Sequence, residues 1–194
     1  SGLYFKGEIP FKTVFFHPMV VDEHGKKMSK TKGNVLDPLT LKDDYGIDAL
    51  RFTLASGASK GKDLRLSLTS VDSHRKFLNK VWNAARFALG HLEGFAGEGL
   101  PAREALALED RWVLARLQQA IAEVRRCLDR YDFNLAAGAV YAFIWRDLCD
   151  WYLEWVKPRL YGEAGASRAA VQGVLQHVLR DVLKLLHPFT PFIA

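Results

Sequence analysis

Four stretches of helical periodicity between residues 69 and 186 constrain the fold of this chain more than any other feature. In each stretch, apolar side chains recur at spacings of three and four, which is typical of an amphipathic helix with one buried face. The predicted helices cover residues 69–92, 109–130, 134–158 and 167–186. The connections between them are modest in length. The chain is therefore predicted to be mainly α, with these four helices forming an antiparallel helical bundle.

The same periodicity predicts which side chains form the core. The inward residues of the first helix are expected to be Val71, His74, Leu78, Val81, Trp82, Ala85, Leu89 and Leu92. Those of the second are expected to be Leu114, Leu117, Ile121, Val124 and Leu128. In the third, an aromatic face that includes Trp145, Trp151, Tyr152 and Trp155 is assigned to the bundle core. Thr69 with Asp72 is predicted to cap the first helix, and Asn134 the third, with a break at Pro158.

The first 66 residues follow a different pattern. Residues 1–36 are predicted to be the end of an α/β domain, with a strand-like run at residues 13–16 continuing to Val20 and Val21. Asp37 followed by Pro38 predicts a short helix that Gly46 ends, and a second helix is expected from about Asp48 to Gly57. We therefore expect three parts: residues 1–36, a connecting segment at 37–66, and the bundle at 67–194.

A cationic loop joins the strand to the first short helix. Lys26, Lys27, Lys30 and Lys32 fall within seven positions that contain no acidic residue, and Gly33 follows directly. A cluster of ammonium groups on a tightly folded backbone is suited to a polyphosphate. The alternative is an ordinary solvated surface loop, which charge alone does not exclude.

The order of residues in this loop resembles a known signature. Lys27-Met28-Ser29-Lys30-Thr31 is similar to the Lys-Met-Ser-Lys-Ser element of class I aminoacyl-tRNA synthetases, with Thr31 keeping a hydroxyl at the last position. The resemblance implies a Rossmann-type catalytic domain in which the loop lies beside ATP. It further implies that Lys30 and Lys27 are catalytic, and that Val20, Met28, Ser29 and Thr31 contact ATP as well. Pro18 departs from the family pattern, which usually has glycine after the histidine.

The helical half carries a second resemblance. Residues 77–87, 110–114, 145–154, 157–160 and 186–192 are similar to the anticodon-binding domain of valyl-tRNA synthetases, whose isoleucyl and leucyl relatives share the layout. The resemblance implies an intact enzyme that forms valyl-adenylate from ATP and L-valine and transfers valine to tRNA. Mg²⁺ is expected with ATP, although the sequence shows no metal-ligand set. No His-x-Gly-His element occurs, so this piece alone is predicted to be inactive, and the catalytic machinery is expected to precede Ser1.

The first bundle helix is the candidate tRNA contact. Between Asp72 and Glu93 it has no acidic residue, whereas Arg75, Lys76, Lys80 and Arg86 are all basic. These four residues are predicted to contact tRNA phosphates, with a merely solvated face as the alternative. Helical spacing places Lys76 and Lys80 on one side of the helix.

Several other function classes receive little support. The stretch at residues 57–62 is not a Walker phosphate loop, because its glycines stand too close and Asp63 replaces the required Ser or Thr; we expect a flexible connector. Cys127 and Cys149 are far apart and are expected to be buried free thiols. No apolar run approaches the roughly 18 residues of a membrane span, and a cytoplasmic location without membrane binding is expected. A noncatalytic RNA-binding module and an isoleucyl or leucyl synthetase stay as alternatives.

Overall fold

The computed structural model describes residues 2–97 and 99–194, apart from the side chain of Lys30. It confirms a mainly helical chain with a very small sheet. Its helices are α1 (Gly2–Lys6), α2 (Pro38–Tyr45), α3 (Ile47–Gly57), α4 (Leu68–Leu92), α5 (Leu108–Asp129), α6 (Phe133–Ala142), a π-helical segment (Phe143–Tyr152), α7 (Leu153–Tyr161) and α8 (Ala166–Leu186). Strands β1 (Val20–Val21) and β2 (Leu64–Arg65) and 3₁₀ turns at Lys30–Lys32 and Arg103–Ala105 complete the described elements.

The core lies between α4, α5, α6, α7, α8 and the π-helical segment. Phe77 from α4, Leu117 from α5, Ile144 from the π-helical segment and Leu175 from α8 are all almost completely buried. The buried stripe of α5 comprises Val113, Leu117, Ala120, Val124 and Cys127. Leu117 and Val124 confirm the predicted stripe, but its centre is displaced, since Leu114, Ile121 and Leu128 are only partly buried.

The third bundle helix differs from its prediction at both ends. It begins after Asp132, so Asn134 lies inside it, and it runs through the π-helical segment past Pro158 to Tyr161. Val156 and Leu160, on either side of Pro158, are 0% and 1% exposed. Burying two such side chains contributes about 3–6 kcal/mol, which offsets the roughly 3 kcal/mol cost of an interior proline. The predicted break is therefore wrong because tertiary packing outweighs the local penalty.

The predicted burial of the tryptophans is wrong for three of them. Trp82 is 59% exposed, Trp151 49% and Trp155 44%, whereas Tyr152 is fully buried. For Trp151 and Trp155 the reason is the π-helical segment, which has more residues per turn than an α-helix, so side chains in and after it rotate away from the stripe that a regular α-helical period would predict. Trp151 and Trp155 pack on each other with ring centroids 5.3 Å apart at the surface.

The start of α4 also differs from its prediction. The side chain of Ser67, rather than Thr69, accepts a hydrogen bond from the Ser70 amide at 3.2 Å. Asp72 does not complete a capping box, because its carboxylate is engaged by Arg75 and Lys76 one turn farther along. The helix therefore begins one residue earlier than predicted.

The connecting segment docks on the end of the bundle. As predicted, Asp37 caps α2 by accepting from the Leu39 amide at 2.9 Å, and Gly46 ends that helix at a φ of 84°, which favours glycine. In α3, buried Asp48 accepts from the Ile193 amide at 2.8 Å. Arg51 donates to the Phe189 carbonyl at 3.1 Å. These bonds fasten α3 to the last turn of the described chain.

The amino-terminal part contains less regular structure than predicted. Residues 13–16 form no strand; β1 begins only at Val20 and pairs in parallel with β2, with Val20 opposite Leu64. A strand needs a partner along its length, and β2 offers only two residues. The connector at residues 57–62 leads into β2, and its Lys60 contacts Asp132 at 2.7 Å. No described helix is long and apolar enough to cross a membrane.

Candidate functional site: the lysine loop and the basic helix

The lysine loop begins at the buried end of β1. Val21 is 2% exposed, and its carbonyl accepts from the Leu66 amide at 2.9 Å. Val21 also forms an isolated antiparallel bridge with Lys27. Between them, the Asp22 amide donates to the Lys26 carbonyl at 2.9 Å, which closes a tight turn. The first signature lysine is thus held directly against a strand that is anchored in the core.

Asn34 closes the loop from its other end. Its carboxamide oxygen accepts from the Ser29 amide at 2.9 Å, and its Nδ2 donates to the Asp22 Oδ2 atom at 2.9 Å and to the Lys27 carbonyl at 3.3 Å. Gly33 immediately before it has a φ of +67°, a conformation that other residues adopt only with strain. The Asn34 side chain therefore joins Asp22, at the end of β1, to both ends of the Lys27–Ser29 stretch.

Asp22 is the only acidic group in this network of hydrogen bonds among the described residues. Its Oδ1 atom accepts from the Lys26 amide at 2.8 Å and from the His24 amide at 3.0 Å. The hydrogen bond from Asn34, followed by those from the Lys26 and His24 amides, holds the pKa of Asp22 below its usual value. The carboxylate is therefore charged at neutral pH and serves as an acceptor.

The signature side chains divide into anchored and exposed groups. Met28 packs against the core and Val20 is half-buried, whereas Lys27 and Thr31 are exposed. The Ser29 and Thr31 hydroxyl oxygens lie 2.6 Å apart. The backbone of Lys30 begins the 3₁₀ turn, but its side chain lies outside the described part of the structure. The loop thus presents cations and hydroxyls together, a combination that suits phosphate oxygens.

Three lysines of this loop keep their charge available. Lys26, Lys27 and Lys32 form no ion pair within 4 Å with any carboxylate in the described part of the chain. The Asp22 carboxylate is turned instead toward backbone amides and Asn34. The arrangement can therefore bind an anion without first breaking a salt bridge.

The basic residues of α4 behave differently. Arg75 and Lys76 both contact the Asp72 carboxylate at 2.7 Å. These hydrogen bonds, that of Lys76 first, lower the pKa of Asp72. Lys80 lies 2.6 Å from Asp150 of the π-helical segment and 3.9 Å from the centre of the Trp145 ring. Arg86 is exposed. The helix is acid-free in sequence between Asp72 and Glu93, yet three of its four cations form ion pairs, two of them with the single carboxylate of Asp72.

A groove opens beside Lys80, between α4 and α7. Its lining residues include Asn83, Phe87, Cys149 and Lys157. Cys149 is 9% exposed, and burial raises the pKa of its thiol to about 11, so it stays protonated. The groove combines an amide, an aromatic ring and two cations, of which Lys157 pairs with the Glu154 carboxylate at 2.6 Å; its amide and ring are groups that can hydrogen-bond to and stack on a nucleotide. Sequence analysis identified Lys80 here but none of the other lining residues.

Two models of protein families match separate regions of the chain. Residues 1–67 match the model for class I tRNA synthetases of the I, L, M and V group, and residues 110–194 match the model for the anticodon-binding domain of tRNA ligases. The chain belongs to the class I aminoacyl-tRNA synthetases. The signature at residues 27–31 lies inside the first matched region, and most of the bundle lies inside the second.

The similar curated proteins are valine–tRNA ligases. The chain is 50% identical over all 194 residues to the enzyme of Syntrophotalea carbinolica and 49% identical to that of Geobacter sulfurreducens. In both cases the chain spans 22% of the length of its relative.

Solved structures of two other family members share the fold. LeuRS of Agrobacterium radiobacter K84, solved in a ternary complex with tRNA and LeuAMS, matches 95% of this chain and 22% of its own at a TM-score of 0.74 and 27% identity. Methionyl-tRNA synthetase of Mycobacterium tuberculosis, solved with methionyl-adenylate, matches 90% of this chain and 35% of its own at a TM-score of 0.73 and 25% identity.

Sequence analysis missed the two residues that hold the loop. The sequence marks Gly33 only as the neighbour of the signature, and it predicts no role for Asn34 or Asp22. Their separation of 12 positions carries no helical or strand period. The one signal available was chemical, since Asn and Asp side chains hydrogen-bond readily to nearby backbone amides in turns.

Proposed function

We propose that this chain is the part of a valine–tRNA ligase that carries the signature loop and the anticodon-binding bundle. The observation that carries the proposal is the loop at residues 27–31, which is fixed to a buried strand and carries an exposed Lys27 that pairs with none of the described carboxylates. Similarity to valine–tRNA ligases over all 194 residues of this chain supports valine as the amino acid. The three proposed parts are residues 1–36, 37–66 and 67–194.

The loop is proposed to act in adenylate formation. The carboxylate of valine attacks the α-phosphorus of ATP, the bond to the bridging oxygen breaks, and pyrophosphate leaves. Negative charge grows on the α-phosphate and on the leaving group as this occurs. We assign Lys30 to the contact that strengthens most in the transition state, assisted by Lys27, because an ammonium on a flexible stem can follow moving phosphates. Ser29 and Thr31 supply hydroxyl donors, and Val20 and Met28 line the nucleotide site.

The described residues do not form a binding site for Mg²⁺. No group of three or more His, Cys, Asp or Glu side chains that could hold a metal occurs among them. The loop itself offers cations and hydroxyls, whereas Mg²⁺ prefers carboxylate, water and phosphate oxygens. We therefore derive no step of the reaction through Mg²⁺.

The bundle is proposed to bind tRNA. Lys76 and Arg86 are exposed on α4, and Lys80 and Lys157 border the groove between α4 and α7. Arg75 and Lys76 would have to exchange the Asp72 carboxylate for a phosphate, and Lys80 would have to leave Asp150. Such exchanges between partly exposed partners cost little, because ion pairs at the surface contribute only about 0–1 kcal/mol.

The proposal is tested by aminoacylation with the full-length protein. Valine, isoleucine and leucine are each supplied with ATP and with tRNA of matching specificity, and charged tRNA is measured. We expect charging with valine to dominate. Charging with isoleucine or leucine instead would assign a sibling activity, and tRNA binding without charging by any of the three would favour a noncatalytic RNA-binding protein.

A further inference from the structure

The loop network contains a pair of side chains that the proposed chemistry does not use directly. Asp22 and Asn34 are 12 residues apart and meet through a 2.9 Å hydrogen bond from Asn34 Nδ2 to Asp22 Oδ2. They lie on opposite sides of the signature, one before it and one after it. Their hydrogen bond joins the chain before the signature to the chain after it and so closes the loop.

The pair controls the backbone positions of the lysines. Asn34 holds the Ser29 amide through its oxygen and the Lys27 carbonyl through its nitrogen. Ser29 directly precedes Lys30, so one carboxamide fixes the peptide groups next to both candidate catalytic lysines. Asp22 in turn is joined to buried Val21, and its carboxylate leaves Asn34 only one orientation, with nitrogen toward Asp22 and oxygen toward Ser29.

We propose that Asn34, oriented by Asp22, is a positioning residue for adenylate formation, acting through the backbone of Lys27 and Ser29. This inference rests on the proposed function, because it concerns the same loop in the same reaction. We call the hydrogen-bonded pair of Asp22 and Asn34 the clamp. Without the clamp, the lysines keep their charge but lose their fixed positions relative to each other. Transition-state stabilisation depends on preorganised donors, so kcat should suffer more than ground-state binding of ATP or valine.

The structure suggests an exchange experiment. In the double variant Asp22→Asn with Asn34→Asp, the new Asn at 22 can accept from the Lys26 and His24 amides and donate to the new carboxylate at 34. That carboxylate can still accept from the Ser29 amide. Only the 3.3 Å contact to the Lys27 carbonyl is lost. Each single variant, by contrast, places two carboxylates or two amide nitrogens against each other, because Asn34 cannot turn over without losing Ser29.

The measurement is valine-dependent pyrophosphate exchange with the full-length protein. We expect Asn34→Ala and both single exchange variants to lower kcat by about 100-fold, the effect of a misplacement near 1 Å, with KM for ATP and valine changed less than about threefold. The double exchange should recover at least about 10-fold of the loss. Asp43→Asn, an exposed carboxylate whose one ion pair among the described residues is with Lys42, is the matched control and should leave kcat unchanged.

The outcomes separate this inference from the proposed function. An inactive wild type would contradict the proposed function, whatever the variants do. An active wild type with single variants of unchanged kcat, or with a double variant no better than its parents, would overturn the clamp. A single variant that loses activity only because it unfolds would show a lowered melting temperature. If the double exchange then restored the melting temperature and the activity in parallel, the loss of kcat would be an effect of unfolding. That result would also overturn the proposed role of Asn34.

Discussion

Replacing Asp110 with alanine is expected to be one of the most damaging single changes in the bundle. Asp110 is completely buried and accepts three hydrogen bonds: from the Tyr152 hydroxyl at 2.8 Å, from Arg159 Nη1 at 2.8 Å and from the Ala107 amide at 3.0 Å. Burial, and then the charge of Asp110, raises the pKa of Tyr152 far above its usual value, so that hydroxyl remains a donor. The network joins the start of α5 to the π-helical segment and to α7.

The magnitude follows from what the substitution leaves behind. Removing one partner of a buried ion pair costs about 3–5 kcal/mol. The lower part of that range applies, because the Arg159 side chain is 17% exposed and keeps Glu109 at 2.8 Å. The unpartnered Tyr152 hydroxyl adds about 1 kcal/mol. We therefore expect a loss of about 4 kcal/mol, a large share of the roughly 5–15 kcal/mol that holds a domain folded.

The assay is urea unfolding of the 194-residue chain, followed by circular dichroism at the helical band. Tyr152→Phe should cost about 1 kcal/mol, and Asp110→Ala made in that background should cost about 1 kcal/mol less than in the wild type. Glu154→Ala, which removes an exposed partner of Lys157, is the control and should cost at most about 0.5 kcal/mol. If Asp110→Ala fails to fold, Asp110→Asn replaces it. A cost for Asp110→Ala that matched the control would refute the reasoning.

Three further predictions use other parts of the chain. Burial lowers the pKa of both His74 and His177 from about 6.5, so below that pH the folded chain binds fewer protons than the unfolded one. The free energy of unfolding should therefore fall from pH 7.5 to 5.5, and His74→Gln should reduce the accompanying fall in the urea midpoint. An undiminished fall in that variant would exclude His74 as a cause. Alanine at both Lys76 and Lys80 should weaken binding of cognate and noncognate tRNA alike and reduce the salt slope by about 0.7–0.9 per contact, and an unchanged slope would make α4 a solvated face. The isolated 194-residue chain should fold yet show no valine-dependent pyrophosphate exchange, and detectable exchange would contradict the assignment.

The helical bundle could be predicted from sequence because its signal is local and repeated. Fully buried Val171, Val174 and Val178 of α8 show the expected spacing, and the limits of that helix agree within one residue. Prediction was wrong where a distant contact decided the outcome. Pro158 is carried through a helix by the burial of its neighbours, and the tryptophans of the third helix are displaced by a π-helical segment that no short-range pattern in the sequence marks.

The candidate site shows the same division. The signature at residues 27–31 was visible in the order of its residues, but Asn34 and Asp22 were not, because their role depends on a turn that brings them together. The basic residues of α4 were visible as an acid-free stretch. The ion pair of Lys80 was not, since Asp150 comes from another helix and reaches Lys80 only after the bundle has formed, whereas Arg75 and Lys76 pair with Asp72 within α4.

The proposed role of the signature lysines is tested most directly by pyrophosphate exchange with Lys30→Ala and Lys27→Ala in the full-length protein. The matched control is Lys42→Ala, an exposed lysine on α2 whose one ion pair in the described part of the chain is with Asp43. We predict that Lys30→Ala lowers kcat by about 100- to 1,000-fold with a much smaller change in KM for ATP, that Lys27→Ala has a lesser effect of the same kind, and that the control is unchanged. An increase in KM for ATP alone, with kcat at the wild-type value, would contradict the claim that this loop stabilises the transition state.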